Sequence, residues 1–116
     1  MHEISLVQGL FEQLAELAKQ NRMTRIISVT MDIGPLSGVV EDSFRFGFEI
    51  LSSENDLVRG AQLIINTTAV AYRCSNCEQI QQHPTSVKPD SCPKCGEEIL
   101  FAEGGDELIL QKVEME

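Results

Sequence analysis

The fold is decided by residues 73–103, which read RCSNCEQIQQHPTSVKPDSCPKCGEEILFAE. This stretch contains all four cysteines of the chain and three of its four prolines, and large apolar residues are scarce in it. A short segment of this composition buries too little apolar surface to form a hydrophobic core of its own. We therefore expect a small insert that is held together by something other than hydrophobic burial.

The cysteines form two C-x-x-C pairs, Cys74 with Cys77 and Cys92 with Cys95, and fourteen residues separate the pairs. This spacing is typical of a tetrahedral zinc site with four thiolate ligands. Gly96 fits the turn after the second pair because glycine accepts a positive φ. Zinc coordination contributes on the order of 10 kcal/mol to the folding of such modules. Four cysteines close the coordination shell, so the predicted zinc ion is structural rather than catalytic.

Two other interpretations of the cysteines are disulfide bonds and a thioredoxin-like redox pair. Disulfides are disfavoured because the N-terminal sequence lacks the basic region of a secretion signal. A redox pair would need only one C-x-x-C motif, at the N-terminus of a helix. His83 lies between the two pairs as an alternative metal ligand, although a single histidine in a loop is more often simply hydrated.

On either side of the insert, the sequence pattern predicts helices and strands. Apolar residues at the spacing of one helical face predict a helix from about Ile4 to Gln20 and another from about Val40 to Leu51. Strict alternation of apolar and polar residues predicts a strand over Ile27–Ile33. Runs rich in β-branched residues predict a second strand over Leu63–Tyr72 and a third over Glu107–Val113.

The predicted fold is α+β, with a small mixed three-stranded sheet covered by two helices and an inserted zinc-ribbon-like four-cysteine domain. The connection between the first two strands includes a helix and is long enough for a parallel pair. The predicted domains are residues 1–72 with 105–116, which form an α/β domain, and residues 73–104, which form the zinc domain. An insert flanked by strands also permits domain swapping and a homodimer.

The net charge and the absence of certain motifs argue against several classes of function. Eighteen acidic and nine basic residues give a formal charge of −9, which repels nucleic acid. No apolar run approaches the roughly 20 residues of a membrane helix, so the expected location is the cytoplasm. The chain has no serine-histidine-aspartate set, no H-E-x-x-H motif and no phosphate-binding glycine loop, so we do not expect an enzyme.

The chain begins with Met1-His2-Glu3. Removal of an initiator methionine needs a small second residue, so Met1 and its free amine are expected to remain. The Met1 amine, the amide and imidazole nitrogens of His2 and the Glu3 amide nitrogen can together form fused chelate rings. Nickel(II) and copper(II) favour such tetragonal nitrogen sets. The alternative interpretation is a hydrated chain end without a function.

Taken together, these motifs resemble the HypA family of hydrogenase nickel-incorporation proteins, and the resemblance covers the whole chain. The stretches that carry it, besides the two C-x-x-C pairs, are Met1–Leu6, Asp32–Gly34 with Leu36-Ser37, Val40-Glu41 and Phe46–Glu49. The gap of fourteen residues between the cysteine pairs is a departure from the family, because it is slightly longer than is typical. That departure affects the loop with His83 but not the zinc ligands.

The resemblance implies a nickel metallochaperone that binds nickel(II) as cargo at Met1, His2 and Glu3. The cargo would be delivered for the maturation of nickel-iron hydrogenase and, in some organisms, urease. The implied partners are the GTPase HypB, the precursor of the hydrogenase large subunit and a urease accessory protein. The implied zinc ligands are Cys74, Cys77, Cys92 and Cys95.

The rival function is a zinc-ribbon module that binds protein or nucleic acid, for which the N-terminal residues would be incidental. Arg73, Lys88 and Lys94 would then line the contact surface. Three cations form only a thin basic patch, so the sequence favours the metallochaperone.

Overall fold

The computed structural model describes residues 2–83 and 88–116, apart from the side chain of His2. In chain order, the elements are α1 (His2–Gln20), β1 (Ile26–Ile33), α2 (Glu41–Ser53), β2 (Gln62–Thr67), β3 (Val70–Cys74), β4 (Ile80–His83), β5 (Leu100–Glu103) and β6 (Leu108–Met115). Both predicted helices and the first and last predicted strands are confirmed. Within the described ranges, neither helix combines the length and the apolar character that crossing a membrane requires.

The chain divides into two compact units. The first contains the residues up to Met31 together with Val39–Asn66 and Ile109–Glu116. The second contains Asp32–Gly38 and the described residues of Thr67–Leu108. These units are defined by packing alone. The sequence instead predicts a division into an α/β domain, residues 1–72 with 105–116, and a zinc-binding domain, residues 73–104. This division stays a prediction.

In the first unit, α1 and α2 pack against each other. The Phe11 ring meets the Phe48 ring edge-on with 5.4 Å between the centroids, a contact that adds about 1 kcal/mol to the burial of the rings. Gly47 allows the close approach, because a Cβ at this position would lie 2.9 Å from Cδ1 of Ile4. The buried face of α1 has the spacing of one helical stripe and consists of Val7, Leu10, Phe11, Leu14 and Ala18.

The first sheet has the strand order β2-β1-β6. Arg25 and Glu116 exchange two backbone hydrogen bonds of 3.0 and 2.9 Å, which is the pattern of an antiparallel pair at this end of β1 and β6. The buried Ser28 hydroxyl donates to the carboxylate of Glu114 at 3.0 Å. The C-terminal strand β6 is thus the neighbour of β1 in this sheet.

Strand β2 runs parallel to β1. The Ile26 amide donates to the Leu57 carbonyl before β2, and the Thr68 amide after β2 donates to the Ile33 carbonyl at the end of β1. The sheet is therefore mixed, as predicted. The prediction of one strand over Leu63–Tyr72 is wrong, because β2 and β3 are separate strands that belong to different sheets.

The second unit contains an antiparallel sheet with the strand order β4-β3-β5. Its small buried cluster consists of Val70, Tyr72, Cys74, Cys92 and Leu100. The expectation that residues 73–103 lack a core needs one correction, since a cluster does form there. Two of its members precede the insert and two are cysteines, so the insert itself supplies only one ordinary core residue.

Within the second unit, Gly34 lies directly against the carbonyl of Gly105. The Gly34 amide donates to the Glu107 carbonyl at 2.8 Å, and the Leu36 amide donates to the Gly105 carbonyl at 2.6 Å. The Glu107 carboxylate accepts hydrogen bonds from the Thr68 hydroxyl at 2.9 Å and the Gly105 amide at 3.1 Å. These contacts join the segments that enter and leave the four-cysteine region.

Candidate metal centres

The four cysteines converge in the second unit, where β3 ends at Cys74. All four Sγ atoms lie within 4.8 Å of one another. Two contacts cross between the pairs, with 3.5 Å from Cys74 to Cys95 and 3.6 Å from Cys77 to Cys92. All four are free thiols in the structure, two of them buried and only Cys95 exposed. The arrangement is a zinc-ribbon-like metal-binding site.

Each cysteine pair sits in a tight turn, here called a knuckle, with the same pattern of backbone hydrogen bonds. In the first knuckle, the Cys74 amide donates to the Gln79 carbonyl at 2.9 Å and the Glu78 amide donates to the Cys74 carbonyl at 3.2 Å. In the second, the Cys92 amide donates to the Glu97 carbonyl at 2.8 Å and the Gly96 amide donates to the Cys92 carbonyl at 2.8 Å. The repeated pattern turns both pairs of sulfurs inward.

Backbone amides within the knuckles point at the sulfurs. The amides of Asn76 and Cys77 lie 3.4 and 3.5 Å from the sulfur of Cys74. The Glu97 amide, and after it the Asn76 side chain, lower the pKa of Cys95 to about 6. Hydrogen bonds to a thiolate favour the charged form, so these contacts favour deprotonation of Cys95.

The pKa values of the other cysteines are not all lowered like that of Cys95. The Cys95 amide lowers the pKa of Cys92. The Gln79 amide acts in the same direction on Cys77, but burial and hydrogen bonds from the Cys77 thiol to its neighbours outweigh it and raise the pKa of Cys77 to about 12. Four adjacent thiolates repel one another, so full deprotonation requires a cation among them. A tetrahedral set of four sulfurs suits zinc or an iron-sulfur centre.

His83 lies at the end of β4 and not among the cysteines. The rings of His83 and Tyr72 pack in a T-shaped arrangement with centroids 5.9 Å apart, and Nε2 of His83 lies 3.2 Å from the side-chain oxygen of Gln81. Within residues 2–83 and 88–116, apart from the side chain of His2, the metal-ligand group contains the four cysteines alone. The structure thus gives His83 packing partners in the sheet.

The predicted nickel ligands lie at the start of the first unit. Met1 and the side chain of His2 are outside the described residues. Helix α1 begins at His2, and Glu3 in its first turn is 7% exposed. The first amides of a helix have no carbonyl one turn earlier to bind. The backbone nitrogens of His2 and Glu3 are therefore not used by the helix, and the ligand set itself stays a prediction.

Sequence reasoning missed two residues of the four-cysteine site. Asn76 supports two sulfurs, Cys74 through its backbone amide and Cys95 through its side chain. Glu78 has a positive φ of 61°, and Gly96 has one of 81° at the corresponding place of the second knuckle. Alignment of the two C-x-x-C pairs with each other would have identified Glu78, because it places Glu78 opposite the turn glycine.

The chain is similar to known proteins over nearly its whole length. The family profile described as "Hydrogenase/urease nickel incorporation, metallochaperone, hypA" matches residues 1–115. The hydrogenase maturation factor HypA of Caldanaerobacter subterraneus subsp. tengcongensis is 32% identical over the full length of both chains. The HypA protein of Methanocella arvoryzae is 36% identical over 100% of this chain and 99% of its own.

The fold also has a counterpart among solved structures. The solution structure of the nickel metallochaperone HypA from Helicobacter pylori superimposes with a TM-score of 0.66. The alignment covers 97% of this chain and 96% of that one at 28% sequence identity. The likeness therefore extends over both compact units.

Proposed function

The chain belongs to the HypA family of hydrogenase and urease nickel-incorporation metallochaperones, and on this premise we propose how it handles its two metals. It is a nickel metallochaperone of hydrogenase maturation. The observation that carries this function is the family match over residues 1–115, which includes both Met1-His2-Glu3 and the four cysteines. A zinc-ribbon interaction module is not favoured, because it leaves the match of the first unit unexplained.

Nickel(II), the cargo, is proposed to bind the Met1 amine, the amide and imidazole nitrogens of His2, and Glu3. The start of α1 at His2 supports this set, since the amides of the first turn lack carbonyl partners. A deprotonated amide nitrogen carries negative charge, which the positive end of the helix dipole stabilises. The Met1 amine must lose a proton with a pKa of about 8, so nickel affinity falls with falling pH.

Zinc is proposed as the resident structural ion of the four cysteines. The four sulfurs within 4.8 Å of one another and the amides directed at them support a closed tetrahedral thiolate site. Zinc bound there would cross-link the two knuckles and so add stability to the second unit, whose buried cluster is small. We retain the division into a nickel domain of residues 1–72 with 105–116 and a zinc domain of residues 73–104 as part of the proposal.

Delivery is proposed to occur in the cytoplasm by ligand exchange on a bound recipient, without catalysis of a covalent step. HypB and the precursor of the hydrogenase large subunit are the proposed recipients, with a urease accessory protein where urease is present. A recipient that offers replacement ligands takes the ion while the chaperone is still bound. Nickel then transfers without becoming free in solution.

A transfer assay tests this function. Nickel-loaded protein is added to an extract of cells that lack its gene, together with a chelator that removes free nickel, and hydrogenase activity is measured. Recovery by the loaded protein, but not by the same amount of nickel salt, is the expected result. Equal recovery by both, or by neither, would contradict direct delivery. Protein loaded with zinc alone is the control.

A further inference from the structure

Helix α2 presents two large apolar side chains to solvent. Phe46 is 62% exposed and Ile50 is 42% exposed. Residues four apart share one helical face, so these two side chains are neighbours. The opposite face of α2 is the one that the fold buries, and it consists of Phe44, Gly47, Phe48 and Ser52. The fold thus uses Gly47 and Phe48 of the Phe46–Glu49 motif, but it leaves Phe46 exposed.

The rim of this exposed pair is acidic. Asp42 lies one turn before Phe46, and Glu49 lies between Phe46 and Ile50 along the chain; both are exposed. Among the described residues, neither carboxylate forms an ion pair. The single basic residue of α2, Arg45, is half-buried and donates to the Leu63 carbonyl at 3.1 Å. We refer to Asp42, Phe46, Glu49 and Ile50 as the outer α2 face.

We propose that the outer α2 face is the docking surface for a protein partner in nickel delivery. The matching partner surface is apolar and carries lysine or arginine side chains at its rim. Apolar anchors supply affinity in such contacts, whereas complementary rim charges speed encounter and fix orientation. The inference rests on the proposed function, since a metallochaperone must hold its recipient while the ion moves.

The charge distribution selects this occupant over a second copy of the chain. A two-fold dimer through the outer α2 face would bring this acidic surface against an identical one. The whole chain has a formal charge of −9, which adds to the repulsion. With a basic partner, the local charge interaction and the interaction with the net charge of the chain both become attractive. Its cations would also form ion pairs with Asp42 and Glu49, for which the described residues provide none.

The test compares two double variants with the same chemical change. Phe46→Gln/Ile50→Gln removes the apolar pair of the outer α2 face. Phe101→Gln/Ile109→Gln is the control, because these side chains are also about half exposed, at 47% and 49%, but lie elsewhere. Zinc content and nickel affinity of both variants are measured first and are expected to equal those of the wild type.

Binding of purified HypB and of the hydrogenase large-subunit precursor is then measured for all three proteins. At least one probe is expected to bind the wild type and the control alike, and to bind Phe46→Gln/Ile50→Gln about tenfold or more weakly, as for the loss of interface anchors. The Asp42→Asn/Glu49→Gln variant is expected to bind more weakly and with less dependence on salt.

Results of three kinds of measurement would overturn the docking surface. The first is equal binding by test and control variants, or binding of neither probe by the wild type. The second is a wild-type dimer in sedimentation that Phe46→Gln/Ile50→Gln converts to a monomer, which would assign the face to a second copy. The third is unchanged hydrogenase activity in cells whose chromosomal gene carries Phe46→Gln/Ile50→Gln. If deletion of the whole gene also leaves hydrogenase activity unchanged, the proposed function fails together with the docking surface.

Discussion

Glu78 and Gly96 occupy equivalent positions in the two knuckles. Each donates its amide to the carbonyl of the first cysteine of its pair, and each has a positive φ, 61° for Glu78 and 81° for Gly96. A residue with a Cβ pays about 1 kcal/mol or more for this conformation, whereas glycine does not. The first knuckle is therefore strained where the second is relaxed.

Opposite effects are expected from the exchanges Glu78→Gly and Gly96→Ala. Glu78→Gly should raise the free energy of unfolding of the zinc-loaded protein by about 0.5 kcal/mol, since relief of strain exceeds the entropy that glycine adds to the unfolded chain. Gly96→Ala should lower it by about 1 kcal/mol, although no described residue other than the chain neighbours of Gly96 has an atom within 4 Å of the added methyl group. Denaturant unfolding measures both, and shifts of the same sign would contradict the assignment of strain.

Gly34→Ala tests the contact between Gly34 and Gly105. The added Cβ would overlap the Gly105 carbonyl and lie 2.6 Å from the carboxylate of Glu107, so the free energy of unfolding should fall by about 2 kcal/mol or more. The matched control is Gly9→Ala, where the described part of the chain outside the local backbone of α1 has no atom within 4 Å of the added Cβ. There the helix should gain up to about 1 kcal/mol. If both exchanges stabilise the protein, the close approach of Gly34 to Gly105 is refuted.

The Glu107 carboxylate should titrate below the ordinary glutamate range. Its own backbone amide, the Thr68 hydroxyl and the Gly105 amide lower its pKa, in that order. Because its pKa is lowered, the carboxylate contributes fully to stability above the pKa of the unfolded chain, and this contribution is lost as the pH falls through the lower pKa of the folded state. Carbon-13 NMR titration should give a higher pKa in Thr68→Val and no change in Thr67→Val. An unchanged pKa in Thr68→Val would rule out the hydrogen bond.

Together with the Glu97 amide, Asn76 should help to set the pH at which zinc leaves the protein. Its side chain helps to lower the pKa of Cys95, so Asn76→Ala should raise this pKa and let protons compete for the sulfur at higher pH. The midpoint of zinc release, followed with a chromophoric chelator, should move up by about half a pH unit. Ser75→Ala is the control at the neighbouring exposed position. A midpoint shared by Asn76→Ala and wild type would show that the Asn76 side chain does not affect zinc retention.

Much of the fold could be predicted from sequence because its helices and outer strands carry strong periodic signals. The apolar stripe of α1 marks a helix that buries one face, and both this helix and the alternating strand β1 were found where predicted. The alternation did not predict which residues of β1 are buried, because Ser28 and Thr30 are buried and Ile27 is exposed. The four cysteines of the metal site could also be predicted from the sequence, since the thiolate ligands of such sites occur at fixed spacing. These features depend on short stretches of chain, which a single sequence reveals directly.

Other features depend on partners distant in sequence and carry no such signal. Strand β4 reads Ile80-Gln81-Gln82-His83, which has no strand pattern, and it forms because β3 supplies its hydrogen bonds. The break at Thr68-Ala69 interrupts a run rich in β-branched residues, because the chain there passes from one sheet to another. The close approach of Gly34 to Gly105 likewise joins residues that are far apart along the chain.

The most direct test of the account is nickel titration of untagged, zinc-loaded wild type, His2→Ala and His83→Ala, followed by heat release and by visible absorption. The chain has only two histidines, so His83→Ala is the matched control. Loss of nickel binding in His2→Ala, with binding in His83→Ala equal to wild type and zinc unchanged in all three, is the predicted result. Equal binding by wild type and His2→Ala would contradict the N-terminal nickel site.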